Sequence, residues 1–326
     1  MTVLLIGATG YIGSALTAAL RQRQMRLITA SRSDKPGRPD HRKVDTLQIE
    51  SLVSAMQGID IVINCVSGDA RSIGEGAGCL VEAARRAGVS KIVHMSSMAV
   101  YGFAHAQMDE DSALAAEGNW YAEAKVQAES AIAGFAMHGE AVIFRIGCVA
   151  GPGSSQWVER IGDLLHARRI GDLGSLGDGW SNIVALDDVC EAVVLSVYRA
   201  PLPKTLNVFN LAAPDSPRWN SYFRDFALAV DATPVRQISK RRLQIEAYVR
   251  APAARIYGKI RRVMPVLPAP TGADISPSLL KLFHFAGKLQ SARIEAALPV
   301  KWTRYEDTVR QSAAWYAGER LRRSAA

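Results

Sequence analysis

The sequence predicts an α/β chain: an open, doubly wound parallel sheet followed by a smaller, mainly helical C-terminal domain. Three observations carry this. Short apolar-rich runs recur at Thr2–Ile6, Arg26–Ala30, Ile59–Val66, Lys91–Met95 and Ala141–Ile146, each separated by a segment with helical spacing. The first run ends directly in Gly7-Ala8-Thr9-Gly10-Tyr11-Ile12-Gly13. Beyond Ala213 the strand-like runs give way to amphipathic helices. Alternating strands and helices at this spacing require right-handed crossovers and hence parallel pairing.

The bulk composition suits this class. A chain of 326 residues with 48% hydrophobic and 21% charged residues is ordinary for a globular protein with a large core. Cys65, Cys79, Cys148 and Cys190 form no CxxC pair and lie in apolar runs, predicting free thiols in a reducing compartment and no metal site. The Met1–Ile6 run lacks the basic region and long apolar core of a signal peptide, and no apolar run reaches bilayer-spanning length. A cytoplasmic location is the expectation.

Taken in order, Thr2–Ile6 is a buried strand, and a helix through Leu16 and Leu20 begins immediately after the glycine turn. Strand, glycine turn and helix together form a dinucleotide-binding arrangement. Glycines let the backbone approach a pyrophosphate, and the helix N-terminus offers N–H groups to it. The spacing is GxxGxxG, one residue longer than the commoner fingerprint. Arg26–Ala30 forms the second strand and ends at Ser31-Arg32, where NAD-preferring proteins place an acid on the ribose 2′-hydroxyl. A serine and a guanidinium there predict NADP(H) in preference to NAD(H). Val44-Asp45-Thr46 precedes a helix through Met56; Ile59–Val66 is a third strand, and a glycine-rich loop over Ser67–Gly78 leads into a helix ending near Ala87.

Lys91–Met95 then delivers Ser96 and Ser97 to the C-terminal edge of the sheet, where ligands bind in this architecture. A helix over Trp120–His138 carries Tyr121 and Lys125 four residues apart, hence on one face. A phenol with a reference pKa near 10 is a weak base at neutral pH, and an adjacent ammonium favours its phenolate. A serine hydroxyl can hold a substrate oxygen against it. That set suits proton transfer at a carbinol or carbonyl oxygen, coupled to hydride transfer at the attached carbon. A tyrosine four before a lysine is common by chance; its position after a nucleotide-binding fold and a strand-end serine gives it weight.

These motifs (GATGYIG, SSMAVYG, YAEAK, RIGCVAGPG and NIVALDDVCEAV, in this order) resemble the extended short-chain dehydrogenase/reductases, specifically the NAD-dependent epimerase/dehydratase family. The likeness is good over residues 1 to about 215 and loose beyond. It implies that Ser97, Tyr121 and Lys125 are catalytic and that Gly7, Gly10 and Gly13 hold the pyrophosphate, with Thr9, Tyr11 and Ile12 in the same turn. It further implies that Asp45 lies near the adenine, Val66 and Tyr121 border the cofactor, Lys125 also binds the nicotinamide ribose, and a homodimer forms through the Tyr121 helix. Sugar-nucleotide dehydratases of the family carry Asp-Glu after the catalytic hydroxyl residue; here Met98-Ala99 stand there, which argues against dehydration. The residues before Tyr121 are Asn119-Trp120, placing a bulky ring near the pocket mouth.

The expected organisation is a Rossmann domain over 1–150, joined by 181–213, whose strands Asn182–Ala185 and Leu206–Asn210 return to the sheet edge. Residues 151–180 and 214–326 form a substrate-binding domain, where Arg145 of the neighbouring strand and Trp157, Trp180 and Trp219 are candidate substrate contacts. The net charge of +8 is concentrated in Arg236–Arg262, which holds nine Lys or Arg and one acid, Glu246. A charge so localised excludes a general nucleic-acid-binding surface. Three readings stand for it: a solvated face, an arginine-lined grip on a nucleotide diphosphate, and, not favoured, a peripheral membrane contact through 239–263 with Leu243, Tyr248, Ile256 and Ile260. The expected activity is that of an NADP(H)-dependent oxidoreductase on a hydroxyl or ketone of a small molecule, such as a nucleotide-linked sugar. A nucleotide-sugar epimerase, a steroid- or flavonol-type ketone reductase and a non-catalytic NADP-sensing module are the alternatives.

Overall fold

Seven parallel strands form the central sheet, in the order β3-β2-β1-β4-β5-β7-β10. They are β1 (Thr2–Ile6), β2 (Arg26–Ser31), β3 (His41–Lys43), β4 (Ile61–Asn64), β5 (Lys91–Ser97), β7 (Glu140–Ile146) and β10 (Leu206–Leu211); the short β6 (Gln107–Met108), β8 (Cys148–Ala150) and β9 (Ile183–Ala185) lie outside it. The computed structural model describes residues 1–34, 37–103, 107–198, 205–253, 256–257 and 274–325. Burial explains the strand assignments: β1, β4 and nearly all of β5 and β7 are inaccessible on both faces, which a sheet covered by helices on both sides requires. On one face α1 (Tyr11–Gln22) meets α6 (Leu186–Tyr198); on the other α2 (Ile49–Met56), α3 (Ala70–Ala87) and α4 (Trp120–Gly134) pack side by side. Leu4, Ile6, Val62, Ile92 and Ile143 join Leu52, Leu80 and Phe135 in the core of the second face. Strand order reverses between β1 and β4, the switch point at which such sheets bind ligands.

Two compact units divide the chain. The first comprises Met1–Gly147, Val184–Pro214 and Leu289–Thr303; the second comprises Cys148–Ile183, Asp215–Lys288 and Arg304–Ala326. Within the first, Asp188 at the start of α6 accepts hydrogen bonds from the backbone and hydroxyl of Thr303, so one of the paired acids of the Asp187-Asp188 motif is a structural tie. Within the second, α5 (Arg160–His166) packs against α7 (Trp219–Ala229), which centres an aromatic core. Trp219 is fully buried, with ring centroids 5.5 Å from Trp157 and 4.9 Å from Phe283. Of the candidate substrate tryptophans, Trp219 is therefore a packing residue, while Trp157 keeps part of its surface exposed. Trp180 lies between the Arg218 guanidinium, 4.7 Å from its ring, and the Lys288 ammonium at 4.4 Å.

Several expectations are corrected. The glycine-rich Ser67–Gly78 segment is not a loop: α3 starts at Ala70 behind Asp69, which caps the helix by accepting from Ser72 N–H. A Cβ on Gly74 would meet the movable end of the Gln127 side chain of α4 at 2.1 Å, and one on Gly76 would make ordinary contact with Thr46 at 3.4 Å. Ile183–Ala185 (β9) belongs to a separate two-stranded sheet and not to the central one. Strand β3, a short polar edge, carries no apolar alternation and was not expected. In the basic segment, helix α8 (Lys240–Ile245) continues through a π turn over Glu246–Arg250. Leu243 is buried there and Tyr248 exposed, so they do not share the single apolar face expected of them; Ile260 and the rest of 258–273 fall outside the described residues.

Candidate functional site

The glycine turn after β1 satisfies two separate demands. Gly7 adopts φ +85°, and a Cβ there would stand 2.7 Å from the Cys65 carbonyl oxygen at the end of β4. A Cβ on Gly13 would lie 2.2 Å from the Gly7 carbonyl oxygen. Both glycines are required for the turn to close and for α1 to seat against it. Gly10 is different: its φ of −76° suits any residue, and a Cβ would meet only the Gly7 oxygen at an ordinary 3.5 Å. The fold does not require glycine at position 10, whereas close approach of a ligand backbone to the N-terminus of α1 does. No side chain caps that helix and its first turn holds no acid, leaving the dipole for an anion. Thr9, Tyr11 and Ile12 complete the turn. These residues fit a dinucleotide pyrophosphate.

This separation is testable. Gly13→Ala is expected to destabilise the protein by about 1–3 kcal/mol or more, because backbone must shift. Gly10→Ala should leave the thermal midpoint nearly unchanged while abolishing the upward shift that added dinucleotide produces, read by differential scanning fluorimetry.

Around the turn, Ser31 ends β2 with its hydroxyl bonded to the Ser33 carbonyl and 3.1 Å from His41 Nε2. Arg32 is exposed, whereas Arg42 donates to the backbone carbonyls of Ala55 and Gln57. Asp45 sits at the surface after β3, accepting from Leu47 N–H at 3.0 Å. Val66 follows β4, its N–H bonded to Asn64 Oδ1 at 3.1 Å.

The second half of the site forms at the C-terminal end of β5. Ser97 is its last residue, and its Oγ accepts from Ala99 N–H at 3.2 Å, which leaves the hydroxyl proton available. Tyr121 lies in the first turn of α4, whose N-cap Asn119 accepts from the N–H groups of Tyr121 and Ala122. The Tyr121 and Ser97 side chains lie close enough to influence one another electrostatically. Lys125, one turn on, is buried; its Nζ donates to the Met95 carbonyl at 2.6 Å and stands 5.9 Å from the Tyr121 ring centroid. Trp120 is exposed and meets Tyr121 edge-on at 5.9 Å. The three residues singled out in the sequence thus come together, and Lys125 also lies close enough to Cys65 to interact electrostatically, which links them to the glycine turn.

Burial governs the electrostatics. It pushes the Tyr121 phenol above its ordinary value, against an opposing influence of the Ser97 hydroxyl. It lowers Lys125 to about 8, opposed by Cys65 and by the Glu129 carboxylate. His94, beneath the same lysine, is held neutral by burial and then by the Lys125 charge. The anticipated lowering of the tyrosine by its lysine does not appear: burial dominates, and what opposes it comes from Ser97. At neutral pH Tyr121 keeps its proton and Lys125 its charge.

One residue escaped sequence reading. Glu129, buried on the same face of α4, receives Arg145 through Nε and Nη2 and binds the Ser96 hydroxyl. Arg145 Nη1 also donates to the Tyr101 hydroxyl at 2.9 Å, which in turn donates to Asn210 Oδ1 at 2.7 Å. Arg145 is therefore an internal tie and not a substrate contact. The available signal was spacing: Glu129 lies four after Lys125 and eight after Tyr121, a charge on the inward stripe.

The sequence profile of the NAD dependent epimerase/dehydratase family matches residues 3–212. No curated protein matches the sequence. Solved structures similar to the whole chain include MoeE5 in complex with UDP-glucuronic acid and NAD, at 20% identity, 99% and 100% coverage of this and that chain, and TM-score 0.69. A UDP-glucose 4-epimerase with UDP-glucose from Thermotoga maritima matches at 15% identity, 100% coverage of both chains and TM-score 0.72. A UDP-glucuronic acid 4-epimerase from Bacillus cereus, in complex with UDP-glucuronic acid and NAD, matches at 16% identity, 98% and 100% coverage, and TM-score 0.70. Among the described residues no cluster suited to a metal occurs, and no helix is long and apolar enough to cross a membrane. With the profile spanning the nucleotide-binding sheet and its strand-end site, this chain belongs to the NAD dependent epimerase/dehydratase family.

Proposed function

We propose that the protein is an NAD(P)-dependent oxidoreductase exchanging hydride and proton at a hydroxyl or ketone carbon of a small molecule, specifically a nucleotide-linked sugar. The observation that carries this reading is the convergence of Ser97, Tyr121 and Lys125 at the end of β5. Ser97 donates to the substrate oxygen and holds it against Tyr121. Tyr121, protonated at neutral pH, gives its proton to a carbonyl oxygen as negative charge develops there, or takes it back from an alcohol in the reverse direction. Lys125, fixed by the Met95 carbonyl, stabilises the phenolate formed and would also hold a nicotinamide ribose. A nicotinamide dinucleotide, when bound, would supply or accept the hydride. Met98 and Ala99 cannot transfer protons, so elimination of water has no catalyst beside Ser97.

The cofactor reading is NADP(H) over NAD(H), resting on the exposed Arg32 where an acid would hold the ribose 2′-hydroxyl. The test is a thermal-shift panel. NADP at a hundredfold excess over its Kd adds about 2.7 kcal/mol of stability; a smaller shift with NAD, and reversal of the order in Arg32→Glu, are expected. A larger shift with NAD in the parent protein overturns this choice.

A second reading, nucleotide-sugar epimerase, is favoured by the UDP-sugars named for the solved structures of like fold. The two separate on cofactor balance. A reductase consumes reduced nicotinamide in step with product, read as loss of its near-ultraviolet absorbance; an epimerase interconverts two sugars with no net change. A homodimer through α4 accompanies either reading and is checked by sedimentation equilibrium.

A further inference from the structure

We propose that the helical run from Lys240 through Ala253 is a docking surface for anionic lipid bilayers. Twelve large apolar side chains are exposed among the described residues, and four of them fall between positions 245 and 256. These are Ile245 at 46% exposure, Tyr248 at 61%, Val249 at 60% and Ile256 at 61%. The first three stand at offsets of three and four, so they form one stripe. The opposite stripe, Leu243, Glu246, Ala247 and Ala251, is buried. The helix is therefore apolar on both sides: one side is satisfied by its own domain, and the other faces outward.

The charges around the outward stripe have one sign. Lys240, Arg241, Arg242 and Arg250 are exposed beside it. The sole acid between Arg236 and Arg262, Glu246, is turned inward, where Arg169 holds it through two nitrogens and Arg250 bonds its other oxygen at 2.8 Å. Burial of the carboxylate takes the one acid of this run away from its outward stripe. A tyrosine and two aliphatic side chains inserted at headgroup depth, ringed by lysine and arginine, match the chemistry of a bilayer rich in phosphatidylglycerol or phosphatidylserine. A solvated face would not be expected to group isoleucine, tyrosine and valine outward, and a grip on a free nucleotide diphosphate would not use them.

The test is co-sedimentation of the full chain with vesicles of phosphatidylcholine alone or with phosphatidylglycerol added. Binding is expected to the mixed vesicles only, to weaken at least about tenfold between low and high salt, and to be lost in the combined Ile245→Ser, Tyr248→Ser, Val249→Ser variant. Lys240→Glu with Arg241→Glu leaves the apolar stripe intact and should weaken binding by about tenfold or more. Thermal midpoints of both variants establish that they fold. Absence of binding at low salt, equal binding to neutral vesicles, or undiminished binding by both folded variants overturns the proposal. So does a self-association, seen by sedimentation velocity, that the triple variant abolishes while vesicles remain unbound.

Discussion

Replacing Tyr121 with phenylalanine is expected to lower turnover of a reducible substrate by about a hundred- to ten-thousandfold, with cofactor-induced thermal stabilisation retained. The phenol is the group placed to exchange a proton with the substrate oxygen, and its ring packing against Trp120 survives the change. Unchanged turnover would remove Tyr121 from the chemistry. The pH dependence of the parent enzyme adds a second readout. Reduction needs Tyr121 protonated and Lys125 charged. Burial raises the first and lowers the second to about 8, so both conditions hold at neutral pH and the lysine fails first as pH rises. Reduction should therefore be flat near neutrality and fall above about 8, approaching tenfold per pH unit. Oxidation of the corresponding alcohol, which needs the phenolate, should rise with pH until Lys125 discharges.

The largest stability effect is expected at Arg145. In Arg145→Ala the Glu129 carboxylate stays buried without its guanidinium, and the Tyr101 hydroxyl loses a donor. Removing one member of a buried pair costs about 3–5 kcal/mol, which urea unfolding would report as a lower midpoint with an unchanged slope. Replacing both partners, Arg145→Met with Glu129→Leu, should restore much of that stability, since no buried charge is then left alone. Equal destabilisation by the single and double changes would show that packing, and not charge, is at stake.

Much of this was legible in the sequence because it is local. Strands β1, β4, β5 and β7 announce themselves as apolar-rich runs, since a sheet covered on both faces leaves no regular polar alternation. The Tyr121–Lys125 spacing is a property of one helix, and the strand-end place of Ser97 follows from β5. What stayed hidden depends on partners distant in the chain. Glycines at 74 and 76 argue against a helix by propensity, yet α3 runs through them because it packs between α2 and α4. Arg145 alone reads as a candidate substrate contact and Glu129 gives no signal beyond its spacing; only the approach of α4 to β7 turns them into an internal pair. Strand β3, with His-Arg-Lys, has no apolar signal because it is an edge.

Helix α4 sets one further constraint. Tyr121, Lys125 and Glu129 lie at successive turns, about 6 Å apart along the axis and about 12 Å from first to last. The first meets Ser97, the second the Met95 carbonyl, and the third Arg145. The helix thus works as a ruler laid against the sheet, with the proposed proton donor at one end and an anchor at the other. A one-residue insertion between Tyr121 and Glu129 would rotate whatever follows by about 100°. No substitution within the ruler could restore the register. Divergence in substrate choice has to come from segments beyond it, because this interval can change in neither length nor phase without losing chemistry and anchorage together.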